Sequence, residues 1–375
     1  MRGIFVPPAP TGLTATSGNA QVTLSWTAPT GVIAQAPITD YREQYSTDNG
    51  ATWTTFSASA STATSATVTG LTNGTAYVFR VAAVNAVGVG AYTAASSSVT
   101  PAAFAPTSIA GLQLWADASD ASTLYDATSG GSLVAADGGV ARWQDKSGNS
   151  RHFTQATSGS RPLRKTGQQN GLATLRFDGT NDSMSIASST ATFKFAHDGD
   201  STLFIVYKAG TTANPNTLYA IIGNGLNDGS LDFQTGFYLR WDDRGEVPYQ
   251  DQSVYVVANN GSPRYVGVSA ANTFPTNVFN LQTIVSNPQD STIANRATIR
   301  KNGGSAVSVD TSGTNAGTAL PTANATQDLR IGATSGTATW FLAGDIAEII
   351  MYDSALSDAN RALVESYLTS KWGLS

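Results

Sequence analysis

Cysteine is absent from this chain of 375 residues. Neither a disulfide framework nor a thiolate-bound metal can therefore stabilise the fold. Charge is also scarce: charged residues make up 13% of the chain, and 21 Lys and Arg against 26 Asp and Glu give a net charge of −5. Because the basic residues are scattered and do not line one face, nucleic acid is disfavoured as a partner.

Long hydrophobic runs are missing as well. The longest apolar stretches, "STLFIVYKAG" and "AEIIMY", have the length of a strand and are too short to span a membrane. The opening "MRGIFVPPAP" has an apolar patch that is too short for a signal peptide and is interrupted by Pro7 and Pro8. We therefore expect no membrane insertion and, in the chain as given, no secretion signal.

Many short β-type runs, separated by Gly, Asn, Asp and Ser, occupy the rest of the chain. This pattern is typical of antiparallel sandwiches and not of βαβ units. The runs fall into two blocks, divided by "VTPAAFAPTSIAGLQLW", whose prolines predict a short, semi-stiff linker. The sequence therefore predicts an all-β protein with two domains, residues 1–103 and 104–375.

The first block alternates between apolar and polar residues. Val22, Leu24 and Trp26 share one face of a predicted strand, and residues 77, 79, 81 and 83 share one face of another. Between them, "ITDYREQYSTDNGATW" predicts a hairpin that turns at Asn49-Gly50. Each of these strands can bury one face and expose the other, so we expect a sandwich.

These motifs resemble the fibronectin type III domain of bacterial and phage proteins. The resemblance covers roughly residues 7 to 101 and rests on "PAPTGLTAT", Trp26, "GLTNGTAYVFRVAAVNAVGVG" and "SVTP". It implies a seven-stranded sandwich with a tyrosine corner at Leu71 and Tyr77, where the phenol hydroxyl bonds back to the chain. Since Trp26 and Tyr77 lie on the apolar face of their strands, we expect both in the core.

The second block resembles the concanavalin A-like, laminin G-type jelly rolls of bacterial surface proteins and phages. The ordered motifs that carry this resemblance are "GLQLWADASD", "VARWQDKSGNSRHFTQ", "LATLRFDGTNDSMSI", "STLFIVYKAG" and the C-terminal "LAGDIAEIIMYDSALSDANRALVESYLTSKWGL". It implies a larger antiparallel jelly-roll sandwich of two sheets. Independently, "TLFIVYK" puts Leu203, Ile205 and Tyr207 on one face and Phe204 and Val206 on the other, as in a central strand.

A short C-terminal helix completes the predicted fold. Ser357 is its predicted N-cap, Asp358 lies at the positive end of the helix dipole, and Gly373 is the predicted stop. Helical spacing predicts a stripe that packs on the sandwich, formed by Leu363, Val364, Tyr367, Leu368 and Lys371.

Two loops rich in Asp and Asn side chains are candidate binding sites. Asp145 and Asn149 lie in "DKSGN", and Asp178 and Asp182 lie in "FDGTNDSM". Such residues supply turn hydrogen bonds and positive φ, which favours tight turns with the side chains bonded to local backbone. The alternative is a cation or glycan loop, since calcium prefers carboxylate, amide and carbonyl oxygens. Neither loop has EF-hand spacing, so the prediction is no required cofactor, with calcium as the alternative.

The sequence offers few candidates for catalytic residues. A retaining glycosidase needs two carboxylates about 5 Å apart, which on one strand come from residues two apart. The nearest candidates, Asp345 and Glu348 in "GDIAEII", are three apart and are therefore expected on opposite faces. Neither His152 nor His197 lies near a nucleophile elbow. We expect a non-enzymatic protein.

A glycan surface needs exposed aromatic rings beside hydrogen-bonding groups. "RWDDRGEVPYQDQSVYVV" offers Trp241 and Tyr249 flanking Asp242 and Arg244 in a turn-rich segment. These four residues are the predicted ligand site. In the alternative, Trp241 packs under the sheet and "DDRGE" is a solvated turn.

The resemblances set the functional expectation. Fibronectin type III and laminin G-like modules act outside cells, yet no export signal precedes them here. A phage virion, assembled in the host cytoplasm, reconciles the two. We therefore expect a virion protein, a head decoration or tail-associated adhesin, that is oligomeric on the particle, contacts capsid or tail proteins and binds a host surface glycan. The alternatives are a carbohydrate-binding or adhesion module of a longer, secreted bacterial surface protein, and a structural cap with no ligand.

Overall fold

The computed structural model describes residues 5–31, 36–210, 217–225, 235–243, 252–259, 262–269, 272–288, 290, 296–307, 322–336 and 339–375. The chain divides into two compact units, Met1–Ala105 and Pro106–Ser375. The division falls inside the proline-containing segment that the sequence marks as a linker.

Two antiparallel sheets form the first unit. Its strands are β1 (Thr11–Gly18), β2 (Gln21–Thr27), β3 (Ile38–Ser46), β4 (Thr54–Thr55), β5 (Ser65–Thr69), β6 (Val78–Asn85) and β7 (Gly88–Tyr92). One sheet has the order β1-β2-β5 and the other β4-β3-β6-β7. The predicted hairpin is present as the β3–β4 pair, and Asn49 and Gly50 both adopt the positive φ expected in its turn.

The core of the first unit consists of the inward faces that alternation predicts. Val22, Leu24 and Trp26 of β2 pack in one cluster with the alternating residues from Tyr77 to Ala83. Trp26 also contacts Tyr41 edge-on, with ring centroids 5.0 Å apart. The predicted corner is present too, because the Thr72 amide donates to the Tyr77 hydroxyl at 3.0 Å.

The second unit is a larger two-sheet sandwich. Its strands are β8 (Leu112–Asp117), β9 (Leu124–Tyr125), β10 (Arg142–Trp143), β11 (Phe153–Thr154), β12 (Leu163–Gln169), β13 (Leu172–Asp178), β14 (Met184–Ser185), β15 (Ser201–Ala209), β16 (Thr217–Gly223), β17 (Gly236–Asp243), β18 (Gln252–Asn259), β19 (Ser262–Val268), β20 (Asn280–Ser286), β21 (Ala297–Lys301), β22 (Ala306–Val307), β23 (Arg330–Ile331) and β24 (Ala343–Tyr352). The helices are α1 (Phe195–Asp198) and α2 (Asp358–Trp372). No described helix is both long and apolar enough to cross a membrane.

All strand pairs among the described residues of this unit are antiparallel. We call the sheet with the order β12-β13-β24-β15-β20-β21-β22 the front sheet, in which β8 also pairs with β24. The back sheet has the order β19-β18-β17-β16-β23-β14-β11-β10-β9. One apolar cluster fills the space between the two sheets, to which the front sheet contributes Ile205 and Ile349 and the back sheet Trp143 and Leu239. The fold is therefore all-β, as predicted.

Strand β15 confirms the predicted alternation and also carries a polar bridge. Leu203, Ile205 and Tyr207 belong to the core, and the intervening side chains face the other side of the sheet. The buried Tyr207 hydroxyl donates to Gln282 Oε1 at 3.1 Å, and Gln282 Nε2 donates to Ser253 Oγ of the back sheet. This polar bridge, Tyr207–Gln282–Ser253, links the two sheets through their apolar core.

Helix α2 begins and ends where the sequence predicts. The Ser357 hydroxyl accepts a hydrogen bond from the Asn360 amide, and Gly373 adopts the left-handed conformation at the C-terminus. The predicted apolar stripe needs a correction. The helix buries Val364, Glu365, Leu368 and Trp372, whereas Leu363 is half exposed. The apolar part of the buried face thus follows every fourth residue and leaves position 363 on its margin.

The boundary predicts a proteolytic pattern. Exposed linkers are preferred sites of nicking, so limited proteolysis should cut near residues 102–108 and release two folded fragments. Mass spectrometry and circular dichroism of the fragments check this expectation. A single fragment of full length that resists the protease under the same conditions contradicts it.

The tyrosine corner predicts a stability change. Tyr77→Phe removes only the hydroxyl that accepts the Thr72 amide, and such a hydrogen bond typically contributes about 0.5–1.5 kcal/mol. The isolated first unit should remain folded and lose about that much free energy of unfolding in a urea titration. An unchanged midpoint for the variant shows that the corner does not stabilise the domain.

Candidate functional site

The predicted glycan residue Trp241 lies in the core. Its side chain is 2% exposed, on the inward face of β17 together with Phe237 and Leu239. The indole Nε1 donates to the Phe274 carbonyl at 2.8 Å, and the ring stacks on Tyr219 with centroids 5.4 Å apart. The alternative interpretation, in which Trp241 packs under the sheet, is confirmed, because β17 continues as a strand through this position and its alternation turns Trp241 inward.

The neighbours of Trp241 point outward. Asp242 is fully buried, and its carboxylate pairs with the Arg240 guanidinium at 3.1 Å. Asp242 is therefore a structural ion-pair partner and not an exposed ligand group. The Arg240 guanidinium also lies 6.0 Å from the ring of Trp340. Arg244 and Tyr249, the other two residues of the predicted site, lie outside the described residues.

Trp340 is an aromatic residue on this outer face that the sequence reasoning missed. Its side chain is half buried, its carbonyl accepts the Ala220 amide of β16 at 2.9 Å, and its φ is +49°. A positive φ in a bulky non-glycine residue is an unusual backbone state, found more often at functional sites than elsewhere. No local signal in "TSGTATWFLAG" indicates that this tryptophan returns to the back sheet.

The "DKSGN" segment is a turn that fastens β8. Asp145 Oδ1 accepts the amides of Trp115 and Ser147 at 3.0 and 2.8 Å, and its Oδ2 accepts the Ser147 hydroxyl and the Arg151 amide. The Asn149 side chain donates to the carbonyls of residues 112 and 113. Asp145 thus bonds the backbone of its own turn, as in the turn interpretation, whereas Asn149 bonds the backbone of β8. Both carboxylate oxygens of Asp145 already accept two donors.

The "FDGTND" segment is a second turn. Asp178 Oδ1 accepts the amides of Thr180 and Asn181 at 2.8 and 3.1 Å, and Asp182 Oδ2 accepts the Asp178 amide at 3.0 Å. Burial of the Asp182 carboxyl, reinforced by repulsion from Asp178, raises its pKa to about 6. Within the described ranges, no three His, Cys, Asp or Glu residues are grouped so that they could hold a metal ion.

A buried charged cluster on the outer face of the front sheet has no counterpart among the predicted sites. We call it the Glu348 cluster: Trp115 and Asp117 of β8, Lys146, Glu348 of β24, and Tyr367, Lys371 and Trp372 of α2. Glu348 is fully buried. Its Oε1 accepts the Trp115 indole at 2.8 Å and the Tyr367 hydroxyl at 3.0 Å, and its Oε2 accepts the Lys371 ammonium and the Trp372 indole at 2.7 and 2.8 Å.

Asp117 faces Glu348 directly across the β8–β24 pair. Two like charges in that position repel each other unless a cation lies between them. The Lys371 ammonium does so, 2.8 Å from Asp117 Oδ1 and 2.7 Å from Glu348 Oε2. Lys146 lies 3.2 Å from the other Asp117 oxygen and also packs over the Trp115 ring. Burial raises the pKa of Glu348. At Asp117 the two lysines and the hydrogen bond from Ser119 together outweigh burial and lower the pKa.

A β-bulge at Ala347 overturns the expectation that Asp345 and Glu348 lie on opposite faces of β24. Opposite β15, Val206 pairs with Glu348 and Tyr207 with Ile346, so Ala347 has no direct partner. The extra residue shifts the alternation and brings Asp345 and Glu348 to the same outer face. Asp345 is itself bound by Thr174, Arg176 and Lys208, the last at 2.7 Å. These partners occupy both carboxylates as structural acceptors.

The first unit presents a cation between two aromatic rings. The Arg80 guanidinium lies 4.2 Å from the Trp53 ring and 4.3 Å from the Tyr92 ring, and its Nε donates to Gln44 at 2.8 Å. All three stacked side chains are half buried. Aromatic and arginine residues of this kind are enriched at interface hot spots. This stack is an aromatic surface of the first unit.

The raised pKa of Asp182 predicts a pH dependence. A folded pKa of about 6 against an unfolded value near 3.8 means that the native state holds the proton more tightly. Its contribution to stability is present below about pH 4 and is lost as the pH rises through about 6. Asp182→Asn should abolish this loss and stabilise the second unit at pH 7 by about 1–2 kcal/mol, since solvent screens part of the effect. Thermal melts between pH 4 and 7 measure this loss of stability. If the stability of the variant falls with pH as steeply as that of the unchanged protein, the prediction is wrong.

Residues 8–99 match the family model of the fibronectin type III domain. Among solved structures, titin module A71 from human cardiac muscle is 28% identical, with 25% of this chain and 91% of the module covered and a TM-score of 0.23. The FN5 domain of Drosophila Lar is 27% identical over 26% of this chain and 98% of that domain, with a TM-score of 0.22. The match to titin kinase and its flanking domains, 27% identical with a TM-score of 0.24, covers 26% of this chain and 17% of that one. No curated protein matches the sequence. The chain therefore carries a fibronectin type III domain at residues 8–99.

Proposed function

We propose that this chain is a non-enzymatic bacteriophage virion protein, a head decoration or a tail-associated adhesin, whose second unit is displayed to bind a host surface glycan. One observation carries the proposal: a fibronectin type III domain is followed in the same chain by a separate, larger antiparallel sandwich. In this proposal the first domain spaces or docks the protein on capsid or tail proteins, and the second unit is a concanavalin A-like, laminin G-like jelly roll.

The arrangement of the acidic side chains supports a binding or structural role and not catalysis. Glu348 accepts four donors from neighbouring side chains, and Asp345 accepts donors from three residues. General acid and base catalysis needs a carboxyl that can reach substrate. Both carboxylates are instead engaged within the fold and buried.

The absence of cysteine supports assembly in a reducing compartment. A virion protein folds in the host cytoplasm and afterwards works outside it, so its stability has to come from packing and hydrogen bonds. The apolar core of the second unit and its polar bridge meet this requirement. Several copies on one particle would add avidity to a weak glycan site.

A second candidate is a carbohydrate-binding or adhesion module of a bacterial surface protein. The Trp53–Arg80–Tyr92 stack favours it, because it gives the fibronectin type III domain a recognition surface of its own. The genes beside this one distinguish the candidates: capsid, portal or tail genes support the virion protein, and an upstream export signal supports the surface protein.

Glycan binding should depend on Trp340. With Trp241 in the core, Trp340 is the half-buried ring beside Arg240 on the outer face of the back sheet. Losing one stacking ring costs on the order of 1.5 kcal/mol, so Trp340→Ala should weaken glycan binding about tenfold. A glycan array identifies the ligand, and titration of the full chain measures the affinity.

Trp53→Ala is the matched control, since it removes a half-buried ring from the first unit. Both variants are checked for an unchanged melting temperature. Binding that survives Trp340→Ala and fails with Trp53→Ala moves the site to the first unit and supports the adhesion module. If the folded chain binds no glycan on the array, the proposal that the second unit is displayed to bind glycan is refuted, and the alternative of a structural cap with no ligand remains.

A further inference from the structure

An amine and two carboxyl groups meet inside the Glu348 cluster. The Lys371 ammonium contacts Asp117 Oδ1 at 2.8 Å and Glu348 Oε2 at 2.7 Å. The side chains of Lys371, Asp117 and Glu348 are 17%, 5% and 0% exposed. Lysine and aspartate side chains can condense to an amide, and a third group that transfers protons assists such a reaction.

We propose that Lys371 and Asp117 become joined by an intramolecular isopeptide bond, with Glu348 as the proton-transfer group. The reacting groups belong to α2 and β8, and the assisting carboxyl belongs to β24. This modification is independent of glycan binding and of the location of the protein.

Asp117 is the carboxyl that the amine attacks. Its Oδ2 lies 3.2 Å from the Lys146 ammonium, and its Oδ1 accepts the Ser119 amide and hydroxyl at 3.0 and 2.6 Å. These donors withdraw electron density from the carboxyl carbon and stabilise the negative charge that develops as the amine adds. Glu348 has no second ammonium beside it among the contacts of the described residues, and four fixed donors hold it in place.

The step balances without an oxidant or reductant. The Lys371 ammonium first transfers one proton to Asp117 Oδ1, which makes its nitrogen nucleophilic and the carboxyl neutral. The nitrogen lone pair then forms a bond to Asp117 Cγ, and the electron pair of the C=O bond moves to Oδ2, beside Lys146. The nitrogen passes a second proton to Glu348, which delivers it to Oδ1. When the electron pair on Oδ2 returns, the Cγ–Oδ1 bond breaks and Oδ1 leaves as water, so Glu348 is regenerated.

The surroundings of Glu348 favour amide formation over an unreacted ion pair between Lys371 and Asp117. Burial raises the pKa of Glu348, so this carboxyl can hold the proton while the amine reacts. The indoles of Trp115 and Trp372 and the phenol of Tyr367 surround it. Groups that the fold keeps in contact react as though at a very high concentration, on the order of 10⁵–10⁸ M in well-oriented cases. Exclusion of water further favours loss of water from the pair.

Another lysine–aspartate pair in the same sheet provides an internal comparison. Lys208 lies 2.7 Å from Asp345, as close as Lys371 lies to Glu348. Among the contacts of the described residues, the Lys208 ammonium meets one carboxylate and the Phe279 ring. Without a second carboxyl to take the proton, this pair should remain an ion pair. Lys146 also contacts two carboxylates, those of Asp117 and Asp120. The Asp120 side chain is about a third exposed to solvent, so Lys146 and Asp120 lack the burial that Lys371 and its two partners have.

Intact-mass spectrometry of the denatured full chain tests the proposal. We expect a mass lower than that of the sequence by one water, and a protease digest containing one branched peptide that joins Asp117 to Lys371. Lys371→Arg and Glu348→Gln should each restore the full mass, whereas the control Lys208→Arg should still lose water. Asp117→Asn should yield the same amide with loss of ammonia in place of water.

The outcomes separate the proposal from its rivals. Circular dichroism and melting curves establish that each variant is folded, and Lys371→Arg keeps the positive charge that Asp117 and Glu348 need. A full-length, folded chain at its unmodified mass overturns the proposal. A branched peptide that joins Lys371 to Glu348, or Lys146 to either aspartate, overturns the assignment of Asp117 and Lys371 as the reacting pair.

Discussion

The burial of the Glu348 carboxylate constrains the whole second unit. A charge removed from water must be paired and hydrogen-bonded, because an unpaired one costs several kcal/mol. The four donors to Glu348 come from β8 and α2, whose residues lie far apart in the chain. Strand β24 therefore carries a charge that is acceptable only when the first strand and the last helix of the unit are both in place. The packing of α2 and the pairing of β8 are consequences of the same requirement.

Features that depend on neighbouring residues were predictable from the sequence. The alternating faces of β2 and β15 and the caps of α2 at Ser357 and Gly373 lie where the patterns place them, because each depends on a few consecutive residues. The bulge at Ala347 was not predictable, since it exists only in relation to the strands that pair with β24. For Trp241 the sequence allowed both an exposed ring in a turn and a ring packed under the sheet, and pairing of β17 with β16 and β18 decides for the second.

The candidate sites also divide into those that depend on consecutive residues and those that depend on the fold. The first aspartates of "DKSGN" and "FDGTND" accept amides of their own turns, so local composition described them correctly as structural, although Asn149 bonds β8 instead. The groups that remain for chemistry or recognition come together only through the fold. Lys371 and Asp117 are separated by most of the second unit, and Trp340 meets Arg240 from a different strand connection. No spacing rule along one strand or one helix could have found either set.

The polar bridge Tyr207–Gln282–Ser253 fixes how the two sheets of the second unit are stacked. Apolar side chains tolerate small lateral shifts, because one aliphatic contact resembles the next. The hydrogen bond between Gln282 of the front sheet and Ser253 of the back sheet does not tolerate such a shift. A displacement by one residue would leave buried donors and acceptors unpaired. Aliphatic residues of equal volume in these positions would fill the same space but would no longer distinguish the native alignment of the sheets from its displaced neighbours. The bridge thus gives the sandwich a single alignment, and the surfaces on its two outer faces inherit that fixed geometry.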